Sequence, residues 1–297
     1  MLMAEGAPDV ATALALGQRE RQEDAILAQF AGGMEGGFAI LSDGMGGHDD
    51  GDLASRLIVA EMFRALSIAE RDGLGDHPNL RPLLRDAILA ANQSLRHAVE
   101  AGDGQDGMGG TVIAAVFHQD RLSWISIGDS ALYLYRDGVL QRLNEVHSLA
   151  PQIDMLVQKG EIDAETARRH PQRSCLTSAL VGGAINKIDC PEQPLDLRPG
   201  DVVVMASDGL EVLTGARLGA MLGRHAHAPA STISQMIMSA VEAEDAPDQD
   251  NTSLIVIKPD LPETAAACSE TATPGTRGSL ADMCGAFMAQ VTRGSAL

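Results

Sequence analysis

Between Thr111 and Leu143 four β-rich runs follow one another with links too short to hold a helix: Thr111 to Phe117, Leu122 to Ile127, Ala131 to Tyr135 and Val139 to Leu143. Parallel strands need a crossover of a dozen or more residues, so links this short dictate antiparallel neighbours. Asp137-Gly138, set between two apolar runs, is a hairpin signal, because both residue types accept the positive φ that a tight two-residue turn requires. The middle of the chain is therefore committed to antiparallel sheet.

The rest of the chain must cover that sheet. Val10 to Leu16 and Ala25 to Phe30 read as strands flanking the loop Arg19 to Asp24, and Phe38 to Ser42 as a third. Val202 to Ala206 reads as a buried strand and Ser253 to Ile257 as the closing one. Leu53, Leu57, Val59, Met62, Phe63 and Leu66 recur at helical spacing and predict a helix over Asp52 to Leu66. A second helix is expected from Asn79, a suitable N-cap, with Pro82 in its first turn and the stripe Leu84, Ile88, Ala91, Leu95 and Val99. Gly102 ends it. Gly215 to Leu222 and Ile233 to Val241 predict two more helices. Paired helices between groups of antiparallel strands give an α+β domain with helices covering sheets, rather than an alternating βαβ fold.

This domain is expected over residues 10–258, with residues 145–190, polar and mixed, as a mobile insertion or flap. Short helical pieces are expected in the flap around Ile153 to Lys159 and Ala164 to Arg169. Residues 262–297 are rich in Ala, Thr, Ser and Gly and read as a flexible tail, with room for a short amphipathic helix over Leu280 to Val291. Aromatic residues make up only 3% of the chain, so the core must rest on Leu, Ile, Val, Ala and Met.

A formal charge of −19 argues against nucleic acid or an anionic membrane as partner, because phosphate backbones need a basic surface. It suits metal ions or a cationic partner, although plain solubility explains it as well. None of the four cysteines forms a C-x-x-C pair, so zinc and thioredoxin-like redox readings find no support. Met1 to Val10 lacks a signal-peptide pattern and no apolar run has the length of a membrane span, which makes the cytoplasm the expected compartment.

Aspartates punctuate the predicted strand ends. Asp24 closes the Arg19 loop, and Asp43 ends the run Phe38 to Leu41 and leads into Gly44-Met45-Gly46-Gly47-His48. Asp129 follows Trp124 to Ile127, Asp208 follows Val202 to Ala206, and Asp250 opens the last strand. Taken singly, each fits a turn or a cap; Asp129 would serve to cap a strand turn and Glu23 to sit as a solvated neighbour. Brought together, carboxylates repel and are costly to bury, and a divalent cation is the economical remedy. Carboxylates without cysteine or paired histidine favour Mg2+ or Mn2+. Two such ions sharing a water make a hydrolytic centre suited to phosphate esters.

Six motifs carry a resemblance to a known family. They are Arg19-x-x-x-Glu23-Asp24, Asp43-Gly44-Met45-Gly46-Gly47-His48, Gly107-Met108-Gly109-Gly110-Thr111, Gly128-Asp129-Ser130, Ser207-Asp208-Gly209-Leu210 and Asp250-Asn251-Thr252. In this order they resemble the metal-dependent type 2C serine/threonine protein phosphatases in their bacterial form, over about Ala11 to Ile257. The resemblance implies a central antiparallel β-sandwich flanked by helix pairs in four layers, α/β/β/α. It also implies hydrolysis of phosphoserine and phosphothreonine by a water activated between two, or with a looser site three, Mn2+ or Mg2+ ions. Asp43 would bridge the metals and Gly44 would reach one through its carbonyl. Asp208 and Asp250 would hold the first metal, and Asp24 and Glu23 would order the water around the second. Asp129 with Asp208 would form the third site, and Arg19 would clamp the substrate phosphate.

The implied partners are phosphorylated proteins and a cognate Ser/Thr kinase whose action is reversed. Two departures stand out: Met45 replaces a histidine proposed as general acid in animal relatives, and Val146 replaces an aspartate beside His147. Two other readings stay open at this point, a phosphoprotein-binding module without turnover and a phosphatase of the same fold dedicated to one partner. The chain has no P-loop and no G-x-S-x-G elbow, and Met45 and Gly47 break an EF-hand pattern after Asp43.

Overall fold

The computed structural model describes residues 7–30, 36–46, 50–71 and 80–261, all within the compact unit Met1–Leu261. The expected tail with its helix, the Asn79 cap and the Gly47-His48 pair lie outside the described residues.

One sheet runs β2 (Asp24–Gln29), β3 (Gly36–Met45), β5 (Val112–His118), β6 (Arg121–Ile127), β9 (Leu195–Asp196), with β4 (Gly109–Gly110) pairing the end of β3. The other runs β1 (Asp9–Ala15), β11 (Thr252–Lys258), β10 (Val202–Ala206), β7 (Ala131–Arg136), β8 (Val139–Arg142). Every paired strand in both is antiparallel.

Alternation along the strands builds three apolar layers. Phe38 and Ile40 of β3 and Val112, Ala114 and Val116 of β5 pack against α1 (Asp50–Arg71) and α2 (Arg81–Ala101). Ala39, Leu41, Ile113 and Ala115 face the opposite way and meet Leu132, Val203, Met205 and Ile255 of the other sheet. The outer face of that sheet, with Val202, Val204, Leu254 and Val256, is covered by α5 (Gly215–His225) and α6 (Ala230–Glu242). Both faces of these strands are buried, which is why they read as unbroken apolar runs. The layers are helix pair, sheet, sheet, helix pair.

Helix α2 has Pro82 in its first turn and ends at Gly102 in the left-handed conformation, as its residues predict. Asp137 and Gly138 both carry positive φ, 51° and 84°, and join β7 to β8 as a tight hairpin. Two short helices, α3 (Ala150–Gln158) and α4 (Ala164–Arg168), lie in the segment between β8 and β9.

One expectation is corrected. The short link Gly128-Asp129-Ser130 does not join antiparallel neighbours: β6 pairs β5 and β9, while β7 pairs β10 and β8. The chain crosses between sheets there. Three extended residues reach about 10 Å, which is about the spacing of stacked sheets, so a link this short bridges the sandwich as readily as it closes a hairpin. Gly128 adopts φ +106° at the crossing, and a Cβ there would stand 2.5 Å from Thr111, so only glycine fits.

Candidate active site

The start of β2, the end of β3, the β6–β7 crossing, the end of β10 and the start of β11 all fall at one end of the sandwich. Asp24 and Asp43 lie directly opposite each other in the β2–β3 register. Asp43 is two residues beyond Leu41, which faces the layer between the sheets, so its side chain enters the same layer where the apolar filling stops. Asp43, Asp129, Asp208 and Asp250 line one cavity of about 700 Å³ together with Arg19, Glu23 and Gly44. Asp24 is set behind this wall. It is buried, and its Oδ2 accepts hydrogen bonds from Ser207 Oγ and Ser253 Oγ, each at 2.7 Å.

Burial and crowding raise the carboxyl pKa values. Asp43 is pushed well above its ordinary value, first by burial and then by Asp208, Asp24, Asp129 and Asp250. Asp208 rises to about 7, through burial and then the charges of Asp129 and Asp250. Asp24 rises to about 6 through burial, against the pull of the two serine hydroxyls. Asp129 also rises to about 6, through burial and then Glu211. Glu23 is raised by burial and partly restored by Arg19; its carboxylate lies against Gly51 in the first turn of α1, where a Cβ would stand 2.7 Å from it. That helix end favours negative charge.

Backbone and buried polar side chains hold these groups in place. The Thr111 N–H donates to Asp43 O (2.8 Å), and the Asp43 N–H donates to Thr111 Oγ1 (3.1 Å), so one residue pins both backbone groups of Asp43. Gly44 donates its N–H to Glu23 O at 3.1 Å, and a Cβ at Gly44 would stand 2.0 Å from Gly51 O. Asn251 braces the Arg19 loop: its Oδ1 accepts from the Glu23 N–H (2.8 Å), and its Nδ2 donates to Leu16 O (2.8 Å) and Arg21 O (2.9 Å). Arg142 donates to Asp129 O (2.5 Å) and Ser130 O (3.0 Å), and Asn144 Nδ2 donates to Ser130 O at 2.9 Å.

His147, beside Val146, is fully buried; its Nδ1 accepts from the Gly128 N–H at 3.3 Å and its backbone N–H donates to Gly128 O at 2.9 Å, while its Nε2 makes no hydrogen bond. Of these positioning residues, Thr111 and Asn251 stand inside the motifs already quoted. Asn144 opens the segment Asn144-Glu145-Val146-His147-Ser148, which resembles the family's segment before the flap, whereas Arg142 carries no sequence signal, because its carbonyl partners Asp129 and Ser130 lie a dozen or more residues away.

Arg19 stands at the cavity mouth, its side chain 56% exposed, with Nη2 2.6 Å from Asp250 Oδ2. Met45 also lines the cavity and has no proton to give. The opposite wall comes from Ser174 to Asn186, with Cys175, Thr177, Ser178, Val181 and Ala184 among its residues.

The donors are carboxylate and carbonyl oxygens, the set that suits hard divalent cations. Asp208 Oδ1 is buried without a hydrogen-bond partner, which leaves a lone pair for a cation. Among the described residues no three acidic, imidazole or thiol side chains form a ready-made ligand set. The reason lies in the bonds above: Asp24 is turned to its serines, and Asp250 to Arg19 and to the Asn251 N–H. The shared elevation of the carboxyl pKa values and the orphaned Asp208 oxygen fit a site that gains by neutralisation.

Residues 15–254 match the family described as protein phosphatase 2C. Serine/threonine protein phosphatase PstP of Mycobacterium tuberculosis is 36% identical over 170 residues, which are 57% of this chain and 31% of that protein. Serine/threonine phosphatase stp of Listeria monocytogenes is 35% identical over 173 residues, 58% of this chain and 65% of that protein. The chain thus spans less than two thirds of the length of these curated relatives. The crystal structure of Mycobacterium tuberculosis PstP/Ppp superposes with a TM-score of 0.70 at 29% identity, covering 85% of this chain and 98% of that one. The PstP catalytic domain in complex with two manganese ions gives a TM-score of 0.68 at 26% identity, with the same coverage.

Proposed function

The chain belongs to the protein phosphatase 2C family, and we propose on that premise that it hydrolyses phosphoserine and phosphothreonine esters of proteins with the help of Mn2+ or Mg2+. One observation carries the reading. Carboxylates from five separate strand ends, remote in sequence, gather at one end of the sandwich beside an arginine.

Asp43 would bridge two ions and Gly44 would offer its carbonyl; Asp208 and Asp250 would hold the first ion. Glu23 and Asp24 would order the water around the second, Asp24 from its place behind the wall. Asp129 with Asp208 would serve a looser third site. Such ions, when bound, activate a water for attack and neutralise the phosphate oxygens. Arg19 receives the phosphate at the mouth, where a planar guanidinium makes two parallel bonds and keeps its charge at any working pH. Thr111 and Asn251 fix the backbone of Asp43 and the Arg19 loop, so little reordering is left for the reaction. Met45 carries no acidic proton, so the leaving alkoxide takes its proton from water.

Residues 10–258 form the catalytic unit in this reading, with residues 145–190 as its flap. The substrates are phosphorylated proteins, and the cellular role is to reverse a Ser/Thr kinase. The cytoplasm is the proposed place of action; among the described residues no helix is long and apolar enough to cross a membrane.

Turnover of p-nitrophenyl phosphate and of a phosphothreonine peptide tests the reading. Both should require Mn2+, stop with a chelator and resume when Mn2+ is restored. A protein that binds several phosphopeptides and turns over none would be a holding module instead.

A further inference from the structure

The flap wall of the cavity is gripped from outside by helix α2. Asn92, buried in the middle of that helix, donates from Nδ2 to Gly183 O at 2.7 Å and accepts the Gly182 N–H on Oδ1 at 2.9 Å. Its amide thus reads the turn as a neighbouring strand would. Arg96, one helical turn further, donates from Nε to Gly182 O at 2.7 Å.

Gly182 has φ +71°, and a Cβ there would stand 3.0 Å from Arg96 N, so the turn is seated directly on the helix backbone. Asparagine is a poor choice for a helix interior, and a buried amide is costly unless bonded. The two bonds to the turn account for it. On the other side, Leu180 is fully buried and exchanges both backbone hydrogen bonds with Gly110 (2.9 and 3.0 Å), the residue before Thr111. The turn is therefore tied at one edge to β4, which pairs the end of β3 beside Asp43, and at the other to α2. Val181, Ala184 and Asn186 are left facing the cavity.

We infer that Asn92 and Arg96 are positioning residues that fix the turn 181–186 as the wall against which the polypeptide around a phosphorylated residue is held. The inference rests on the phosphatase reading and names what that site recognises beyond the phosphate. A small ester fills only the floor, made by the carboxylates and Arg19. A phosphopeptide reaches from the floor to the wall. Loosening the wall therefore weakens peptide binding and leaves the small ester alone.

The test is steady-state kinetics with Mn2+ on p-nitrophenyl phosphate and on a phosphothreonine peptide, for the wild type, Arg96→Ala, Asn92→Asp and Asn92→Ala. For Arg96→Ala and Asn92→Ala the peptide KM should rise about fivefold to tenfold, with kcat for both substrates and KM for the small ester within about twofold. Asn92→Asp keeps the acceptor for Gly182 but turns a buried carboxylate oxygen toward Gly183 O, so its peptide KM should rise at least as far as that of Asn92→Ala. Arg96 is exposed, so Arg96→Ala carries the test should Asn92→Ala fail to fold. An unchanged peptide KM overturns the inference, and so does an equal loss on both substrates, which is the mark of a merely structural role. A wild type inert toward both substrates overturns the phosphatase reading instead. The clamp is then decided by amide hydrogen exchange over residues 180–186, which must quicken in Arg96→Ala if α2 holds the turn; unaltered exchange refutes it.

Discussion

Asn251→Ala removes three hydrogen bonds at once, to the Glu23 N–H, Leu16 O and Arg21 O. The side chain is buried, with the residue 4% exposed, so water does not replace those bonds freely. At about 1 kcal/mol per bond the loss comes to about 3 kcal/mol. Set against a total stability of about 5–15 kcal/mol, this leaves the domain folded. For a unit of this size, thermal unfolding should move down by about 6–12 °C. The bonds all end on residues 16–23, so the Arg19 loop loosens, and a displacement of about 1 Å there should cost about a hundredfold in kcat/KM for p-nitrophenyl phosphate. Differential scanning calorimetry and initial rates read both effects. Asn251→Asp keeps the acceptor for Glu23 but turns a carboxylate toward two carbonyls, beside acids already crowded, and should be worse than alanine on both measures. A variant that melts within about 1 °C of wild type would show the bonds contribute nothing net. One that melts lower but hydrolyses normally would show that Asn251 does not position Arg19.

Asp43→Asn should abolish turnover with the circular dichroism spectrum intact and the metal-free protein no less stable, since it removes one of several repelling charges; retained activity rules out the bridging role. Chelator-treated protein should lose stability as pH rises between about 4 and 7. Asp24, Asp129 and Asp208 hold protons in the folded state up to about 6, 6 and 7, against 3.8 for an ordinary aspartate, so in that window the folded state binds more protons than the unfolded one. His147, whose burial lowers its pKa, opposes this below about 6.5. Urea midpoints at pH 5 and 7.5 measure the slope; Mn2+ should flatten it, and a midpoint that rises with pH in metal-free protein contradicts the scheme.

The long elements were legible because burial leaves a periodic mark. The stripe of α2, its glycine stop and the Asp137-Gly138 hairpin follow directly from their residues. Helix α1 runs five residues past the expected Leu66, to Arg71, because the last turn is carried by Ala69 against the core rather than by a large apolar residue. The two-residue strands β4 and β9 left no mark, since no period fits two residues. Nor did the 3-10 turn Asp208–Val212, which places Glu211 near Asp129. The motif aspartates could be picked out, and their meeting at one end follows from antiparallel order. The sheet crossing at Gly128 could not: an apolar run says that both faces are covered, not which sheet supplies the cover. Contacts such as Asn92 with Gly182 join positions about ninety residues apart, and a single sequence gives no sign of such pairs.

Asp24 and Asp43 stand on one sheet, Asp208 and Asp250 just beyond strand ends of the other, and an apolar filling that includes Leu41, Ile113, Leu132, Met205 and Ile255 separates the two sheets. Side-chain volume in that filling acts as a shim beneath half of the acidic ring. Adding or deleting a methyl group there, well away from any reacting atom, changes how far the two halves stand apart. If the ring holds ions as proposed, the ionic radius it accepts best would in this way be written into hydrocarbon.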